Sequence, residues 1–281
     1  MEQRIITEQK LNAFYRYLQE EEKSVATREK YLREVCRFSA YLSGETVTKA
    51  AVARWKEALL QKGCSPSTVN GKLTAVDQFF LFLGWGDCRV RHLKLQRRLF
   101  RDDSRDLTKA EYKRLVGAAE ETGKRRLALL METICGTGIR VSEVRSITVE
   151  AVRQEKAEIA LKGKIRTILI PHKLAQKLLD YAKRNQIASG EIFLSKDGRS
   201  LNRKQIWAEM KAVCQRANVT PSKVFPHNLR HLFARTFYHI CRDVAKLADM
   251  LGHSSMETTR IYLISTGTEH ARALERLQLV S

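Results

Sequence analysis

Three short segments in the second half of the chain carry side chains able to act on a charged substrate. "GTGIRVSEV" holds Arg140 just after a Gly-Thr-Gly turn, "PHNLRHLFAR" holds His227, Arg230 and His231, and "LGHSSMETTRIY" holds His253 behind Gly252 and ends on Tyr262. One chemistry open to them is metal binding. His227 and His231 stand four positions apart, which can set two imidazoles on one helix face, as in zinc hydrolases. The rest of the segment opposes it. Asn228 stands where a metalloprotease needs its glutamate, and Arg230 sets a fixed cation beside the ligands. Histidines satisfied by neighbouring carbonyls are the structural alternative.

Phosphate chemistry suits the same residues better. A guanidinium presents a rigid fork of donors that matches phosphate oxygens and stays charged in any site. Arg140 and Arg230, from distant segments, can grip both non-bridging oxygens of one phosphodiester and neutralise the charge of a pentacoordinate transition state. The chain lacks the dense carboxylate cluster that two-metal nucleases use, so the attacking group must be covalent. Tyr262 is the candidate. A phenol with a reference pKa of about 10 is a poor nucleophile at neutral pH, but neighbouring guanidiniums ease its deprotonation. Gly252 stops one helix, and Ser254 and Ser255 are natural N-caps of another, so backbone N–H groups beside His253 are expected to face an anion. The alternative for Tyr262 is a buried helix aromatic.

The elements that must position these residues are readable from periodicity. Thr108 and Glu111 in "LTKAE" form a capping-box signature for a helix. "AEIALKGKIRTILIP" predicts two short strands turning at Lys162–Ile165, a hairpin with a basic tip, and "EIFLS" (191–195) predicts another strand. Helical patterns then run to about residue 276. In the first hundred residues, Tyr31, Val35, Phe38 and Leu42 recur at helical spacing within Thr27–Leu42. Ser65 is an N-cap and Pro66 a first-turn residue for a helix that buries Val69, Leu73, Val76, Phe80 and Leu83 and stops at Gly84. Amphipathic segments around Leu11–Leu18 and Val52–Leu60 complete a four-helix unit. "RRLFRDDSRD" (97–106) reads as a linker.

Composition agrees with an anionic partner. The 281 residues favour two domains, and 51 Lys+Arg against 31 Asp+Glu give a formal charge of +20. That balance points to a polyanion, with nucleic acid ahead of an anionic membrane surface; a merely soluble basic protein is the bland alternative. The six cysteines are dispersed, which argues against a zinc ribbon and a secreted disulfide framework. "MEQRIITEQK" lacks the apolar core of a signal peptide, and no apolar run approaches about 18 residues, so the expected location is cytoplasmic, without membrane association.

Taken together and in this order, the three segments resemble the three boxes of the tyrosine recombinases, the phage integrase and Xer family. The resemblance covers most of 106–276, and the helical 1–100 is similar to the family's core-binding domain. It implies a mainly α fold with a small β-sheet: an N-terminal four-helix core-binding (SAM-like) domain over 1–96, a linker over 97–106, a C-terminal α+β catalytic domain over 107–276 and a tail over 277–281. It implies that Arg140, His227, Arg230 and His253 bind and activate the scissile phosphate, that Tyr262 forms a 3′-phosphotyrosyl link, and that Glu143 supports Arg140. The family's hairpin lysine, which protonates the leaving 5′ oxygen, matches Lys162 before Gly163, with Lys164 as the alternative. Leu232, and "YLIS" from Tyr262 onward, depart from the commoner pattern at non-catalytic positions.

The implied partner is a double-stranded recombination site, held by a homotetramer, with no metal, cofactor or ATP. Helix faces offer Arg28, Lys30, Arg33 and Arg37, and then Ser67, Thr68, Asn70 and Lys72, for DNA contact; a solvated charged face is the alternative for any of them. The tail can form an amphipathic helix with Ala271, Leu274 and Leu277 on one face, docking on a neighbouring protomer or folding back. With a first helix by about residue 8, an Xer-like or transposon-type enzyme is expected over an integrase with an added arm-binding domain. The rival readings are a type IB topoisomerase-like enzyme and a non-catalytic DNA-binding regulator on the same scaffold.

Overall fold

The computed structural model describes residues 4–95, 104–161, 164–253, 255–260, 262 and 275–277. The chain divides into two compact units, Met1–Arg97 and Arg98–Ser281.

The first unit contains α1 (Glu8–Glu20), α2 (Val25–Leu42), α3 (Lys49–Gln61) and α4 (Pro66–Phe82). Each starts on a hydroxyl cap, because Thr7, Ser24, Thr48 and Ser65 accept from the backbone N–H three residues on. Ser24 therefore starts α2 two residues before the expected Thr27. The apolar stripes meet in a core of Phe14, Leu18, Val35, Phe38, Trp55, Val69, Leu73, Val76, Phe79 and Phe80. Phe14 meets Phe79 edge-on at 5.1 Å, and Phe38 lies 5.0 Å from Trp55. Tyr31 and Leu83, expected inside, are half-buried at its margin.

The second unit contains α5 (Lys109–Glu121), α6 (Arg125–Thr137), a 3-10 segment Val141–Ser146, α7 (Val149–Arg153), β1 (Lys156–Leu161) and β2 (Lys164–Leu169). It continues with α8 (His172–Arg184), α9 (Arg203–Lys211), α10 (Pro226–Cys241), α11 (Val244–Leu251) and α12 (Met256–Arg260). The Thr108–Glu111 capping box is formed. Arg105 and Asp106, at the end of the expected linker, are already tied in with Leu107: Asn228 donates to the Arg105 carbonyl, and Arg235 donates to Asp106 and to the Leu107 carbonyl.

Two expectations need correction. The hairpin is tighter than predicted, since Leu161 pairs with Lys164 and Ala160 with Ile165; Ile165 belongs to β2, not to the turn. The segment 191–195 is not a strand. Glu191 bridges Thr148 and Leu194 bridges Ser200 only as isolated pairs, and consecutive Ile192 and Phe193 are both buried, which breaks the two-residue alternation of a strand. Lys162 and Gly163 lie outside the described residues, as do Ala271 and Leu274 of the expected tail helix; Leu277 is exposed.

Candidate active site

The ends of two helices build the site around Arg230. α6 and α11 both stop on a left-handed glycine, Gly138 at φ 66° and Gly252 at φ 62°. A side chain at Gly138 would strike the Phe233 ring, and one at Gly252 would strike Arg166. Arg230, on α10 and only 2% exposed, donates from Nη1 to the Gly138 carbonyl and from Nη2 to the Leu251 carbonyl at 2.8 Å and His253 Nε2 at 3.0 Å. Carbonyls at helix C-termini carry the negative end of the dipole, so they offset the cost of burying a guanidinium without cancelling its charge. Burial, and then Arg140, lower the Arg230 pKa, while the neighbouring Tyr262 hydroxyl raises it.

Arg140 lies at the entrance to the 3-10 segment. Its backbone N–H donates to Glu143 Oε2 at 2.8 Å, Nη1 to Glu143 Oε1 at 2.9 Å, and Nη2 reaches the Gly252 carbonyl at 3.4 Å. Glu143 is buried and also accepts from Arg166 Nη2 at 2.6 Å, while Arg166 Nη1 donates to the Leu251 carbonyl. Burial lowers the Arg166 pKa to about 10 against the pull of Glu143, so it stays charged at neutral pH. Sequence reasoning missed Arg166, although strand alternation puts it on the face of buried Ile168 and opposite exposed Ile165 and Leu169. A charge on the inward face of a strand was the available signal. Three guanidiniums thus surround one carboxylate, and most of their charge is uncancelled.

Tyr262 is 6% exposed and packs on Ala234, Leu247 and Leu251. Three imidazoles cover the ring: centroids lie 4.4 Å away for His231, 5.7 Å for His253, nearly parallel at 13°, and 6.2 Å for His227. His227 and His231 meet edge to face at 4.6 Å. Crowding by protein atoms, then Arg230, Arg203 and Arg140, lower the His227 pKa. Burial, then Arg230, Arg140, Arg166 and His227, lower that of His253 to about 4. His253 is therefore neutral at pH 7. Its Nδ1 lies 2.8 Å from the hydroxyl of Thr259, which is fully buried.

The expected anion-facing helix start after His253 is modest. α12 has five residues, Ser255 Oγ accepts from the Glu257 N–H, and Ser254 lies outside the described residues. Guanidiniums and imidazoles make the site instead. It opens into a cavity of about 500 Å³ whose lining adds Arg203, Lys204 and Trp207 to Arg140, His227 and Arg230. Arg203 and Lys204 open α9 behind an Asn202–Gln205 capping box, and Trp207 is 50% exposed with its indole N–H donating to the Val224 carbonyl at 3.3 Å. The "NRKQ" cap with its two cations was the sequence signal for these. Among the described residues, no group of three or more His, Cys, Asp or Glu could hold a metal.

The first unit gathers some of its expected DNA-facing cations and spends others. Buried Glu34 accepts from Lys72 at 2.7 Å and Arg37 at 2.8 Å, with Arg33 at 3.5 Å. Burial pushes its carboxyl up, but the hydrogen bonds from Lys72 and Arg37 outweigh that and hold it below the usual range. Arg28 donates to Gln19 and lies over the Tyr15 ring, and Lys30 is exposed. The Thr68 hydroxyl pairs with Ser65 at 2.8 Å, and Asn70 exchanges two hydrogen bonds with the Leu93 backbone. Ser67 is exposed.

Comparison with known proteins places these features in a family. The model described as Phage integrase family matches residues 105–268, and the one described as Phage integrase, N-terminal SAM-like domain matches 11–86. Tyrosine recombinase XerA of Pyrococcus furiosus is 30% identical, over 100% of this chain and 98% of its own length. Tyrosine recombinase XerC of Roseiflexus castenholzii is 30% identical, over 97% and 95%. Among solved structures, the Tn1549 transposon integrase in complex with transposon right end DNA aligns at a TM-score of 0.72 and 15% identity, over 96% of this chain and 99% of that one. A lambda integrase dimer bound to a COC′ core site aligns at 0.72 and 18%, over 91% and 94%. A lambda integrase tetramer bound to a Holliday junction aligns at 0.72 and 18%, over 90% and 76%. At these identities the structural likeness is one of fold: mostly helical, with a small two-stranded sheet.

Proposed function

Because the chain belongs to the phage integrase family of tyrosine recombinases, and is thus a site-specific recombinase, we propose that it cuts and rejoins DNA through a covalent link between Tyr262 and a 3′ phosphate. The Tyr262 oxygen attacks the scissile phosphorus, forming the O–P bond as the bond to the 5′ oxygen breaks. Arg140 and Arg230 donate to the non-bridging oxygens and neutralise the charge that builds there. His253 provides a further donor to the phosphate. Neutral His227 is the base available for the phenolic proton. Lys162, which follows β1 in sequence, protonates the departing 5′ oxygen. Rejoining reverses these steps with a 5′ hydroxyl from a partner duplex. One phosphodiester is exchanged for one phosphotyrosyl ester and back, so the cycle as written consumes no ATP.

The observation that carries this reading is the Tyr262 phenol, covered by three imidazoles and set beside a buried arginine whose hydrogen-bond partners are main-chain carbonyls and a neutral imidazole. Duplex DNA as substrate, and a tetramer as the working assembly, are carried over from the DNA-bound relatives. Among the described residues no helix is long and apolar enough to cross a membrane. The test is a suicide duplex carrying the recombination site and a nick that traps the cut strand. The wild-type chain is expected to give a denaturation-resistant adduct and Tyr262→Phe none. DNA binding without an adduct in the wild type overturns the reading.

A further inference from the structure

Thr259 has no place in the chemistry above, yet it is fully buried and its Oγ1 lies 2.8 Å from His253 Nδ1. The other ring nitrogen, Nε2, lies 3.0 Å from Arg230 Nη2. A guanidinium can only donate, so Nε2 must accept and the ring proton sits on Nδ1, donated to the Thr259 hydroxyl. In that form His253 offers an incoming phosphate oxygen a lone pair, which repels it. To help hold a phosphate, the same nitrogen has to carry a proton.

Resting on the active-site reading above, we propose that Thr259 is a positioning residue whose hydroxyl serves both neutral tautomers of His253, letting the ring change from acceptor of Arg230 to donor toward the phosphate. A hydroxyl both accepts and donates, and it rotates to suit its partner. When an anion draws Arg230 Nη2 away, Nε2 takes a proton from solvent and Nδ1 releases one to solvent. The Thr259 O–H turns to donate to the bare Nδ1. No net proton is taken up and the ring remains neutral throughout.

That economy matters because of what faces the ring. Arg230 on α10, Arg140 at the 3-10 segment, Arg166 on β2 and His227 all act on His253, and Tyr262 stacks on it. An imidazolium among these cations is strongly opposed. A carboxylate at position 259 would lock the proton on Nδ1, and an apolar side chain would leave a buried ring nitrogen without a partner once Nε2 is protonated.

The experiment compares the full-length wild type with Thr259→Asp, whose carboxylate accepts from Nδ1 but cannot donate to it, and Thr259→Ser, which keeps a hydroxyl. Inorganic sulfate is the probe, since it is tetrahedral and does not titrate between about pH 5 and 8. Ring nitrogen spectra of 15N-histidine-labelled protein read the tautomer. The wild type is expected to carry the His253 proton on Nδ1 when free and on Nε2 with sulfate bound, with an affinity nearly independent of pH. In Thr259→Asp Nδ1 stays protonated, so the anion can be met only by the imidazolium and affinity falls with rising pH, by up to about tenfold per pH unit. Thr259→Ser should return the flat profile. A wild-type proton that stays on Nδ1 with sulfate bound, or a Thr259→Asp profile as flat as the wild type, overturns the proposal alone. Sulfate that leaves the His253 signals unmoved overturns it together with the phosphate site.

Discussion

The two units differ in what holds their most deeply buried charge. In the first, a carboxylate is the hub: Glu34 collects Lys72, Arg37 and Arg33, and buried Asp77 accepts from His92 at 2.9 Å with Arg89 at 3.7 Å. In the second, Glu143 holds Arg140 and Arg166 in the same manner, but the deepest charge is a guanidinium: Arg230 is served by the carbonyls of Gly138 and Leu251 and by a neutral imidazole. A carboxylate partner holds a cation in place but cancels its charge at a distance. Carbonyl dipoles hold it as firmly and leave the charge free to act on a ligand. The first arrangement builds a scaffold with a fixed basic surface; the second keeps a field in reserve for an anion.

Substitutions that remove one hub or the other test the contrast. The largest effect belongs to Arg230→Lys, which keeps a charge but loses the fork: adduct formation on the suicide duplex should fall by about 10³-fold or more, with DNA binding within a few-fold of wild type. Glu143→Gln comes next. It removes the one carboxylate bonded to both Arg140 and Arg166, and the resulting misplacement should slow single-turnover cleavage by about 10²-fold. Glu34→Gln should instead lower stability by about 2 kcal/mol in urea unfolding, because Lys72 and Arg37 lose a buried partner, and leave cleavage at saturating DNA within about twofold. Equal slowing by Glu34→Gln and Glu143→Gln would erase the distinction between the units.

The smallest effect is in pH. His253 titrates near its usual 6.5 when unfolded and near 4 when folded, so the unfolded chain binds the extra proton first as pH falls. Stability tied to His253 is therefore full above about 6.5 and lost progressively down to about 4. Glu34, held below its ordinary 4.5, gives stability that is full above that value and lost as pH falls through its lower folded pKa. Acidification should therefore weaken the catalytic unit first. Between pH 6.5 and 4.5 the wild-type Tm should drop by about 2 °C more than that of His253→Gln. Parallel curves would place the His253 shift elsewhere.

Much of this was readable from local signals. The Ser65 and Thr108 caps, the apolar stripes of α2 and α4, and the order of the three segments depend on residues a few positions apart, where helix geometry fixes the outcome. Arg166, Thr259 and Trp207 were missed for the opposite reason. Each matters through a partner brought in by folding: Glu143 and the Leu251 carbonyl for Arg166, His253 for Thr259, and the Val224 carbonyl for Trp207. The segment 191–195 misled because β-branched and aromatic content resembles a strand, while burial of both Ile192 and Phe193 reflects a chain wedged between other elements.

The left-handed turn at Gly252 exposes the enzyme to an unusual kind of lesion. Its φ of 62° and the Arg166 side chain beside it leave no room for even one methyl group. Gly252→Ala would thus dislodge Arg166 and the Leu251 oxygen that anchors two guanidiniums, disabling the enzyme without altering one ionisable group. Main-chain oxygens cannot be deleted by mutation, so genetic damage to this charge system should surface at the neighbouring glycines as readily as at the arginines themselves.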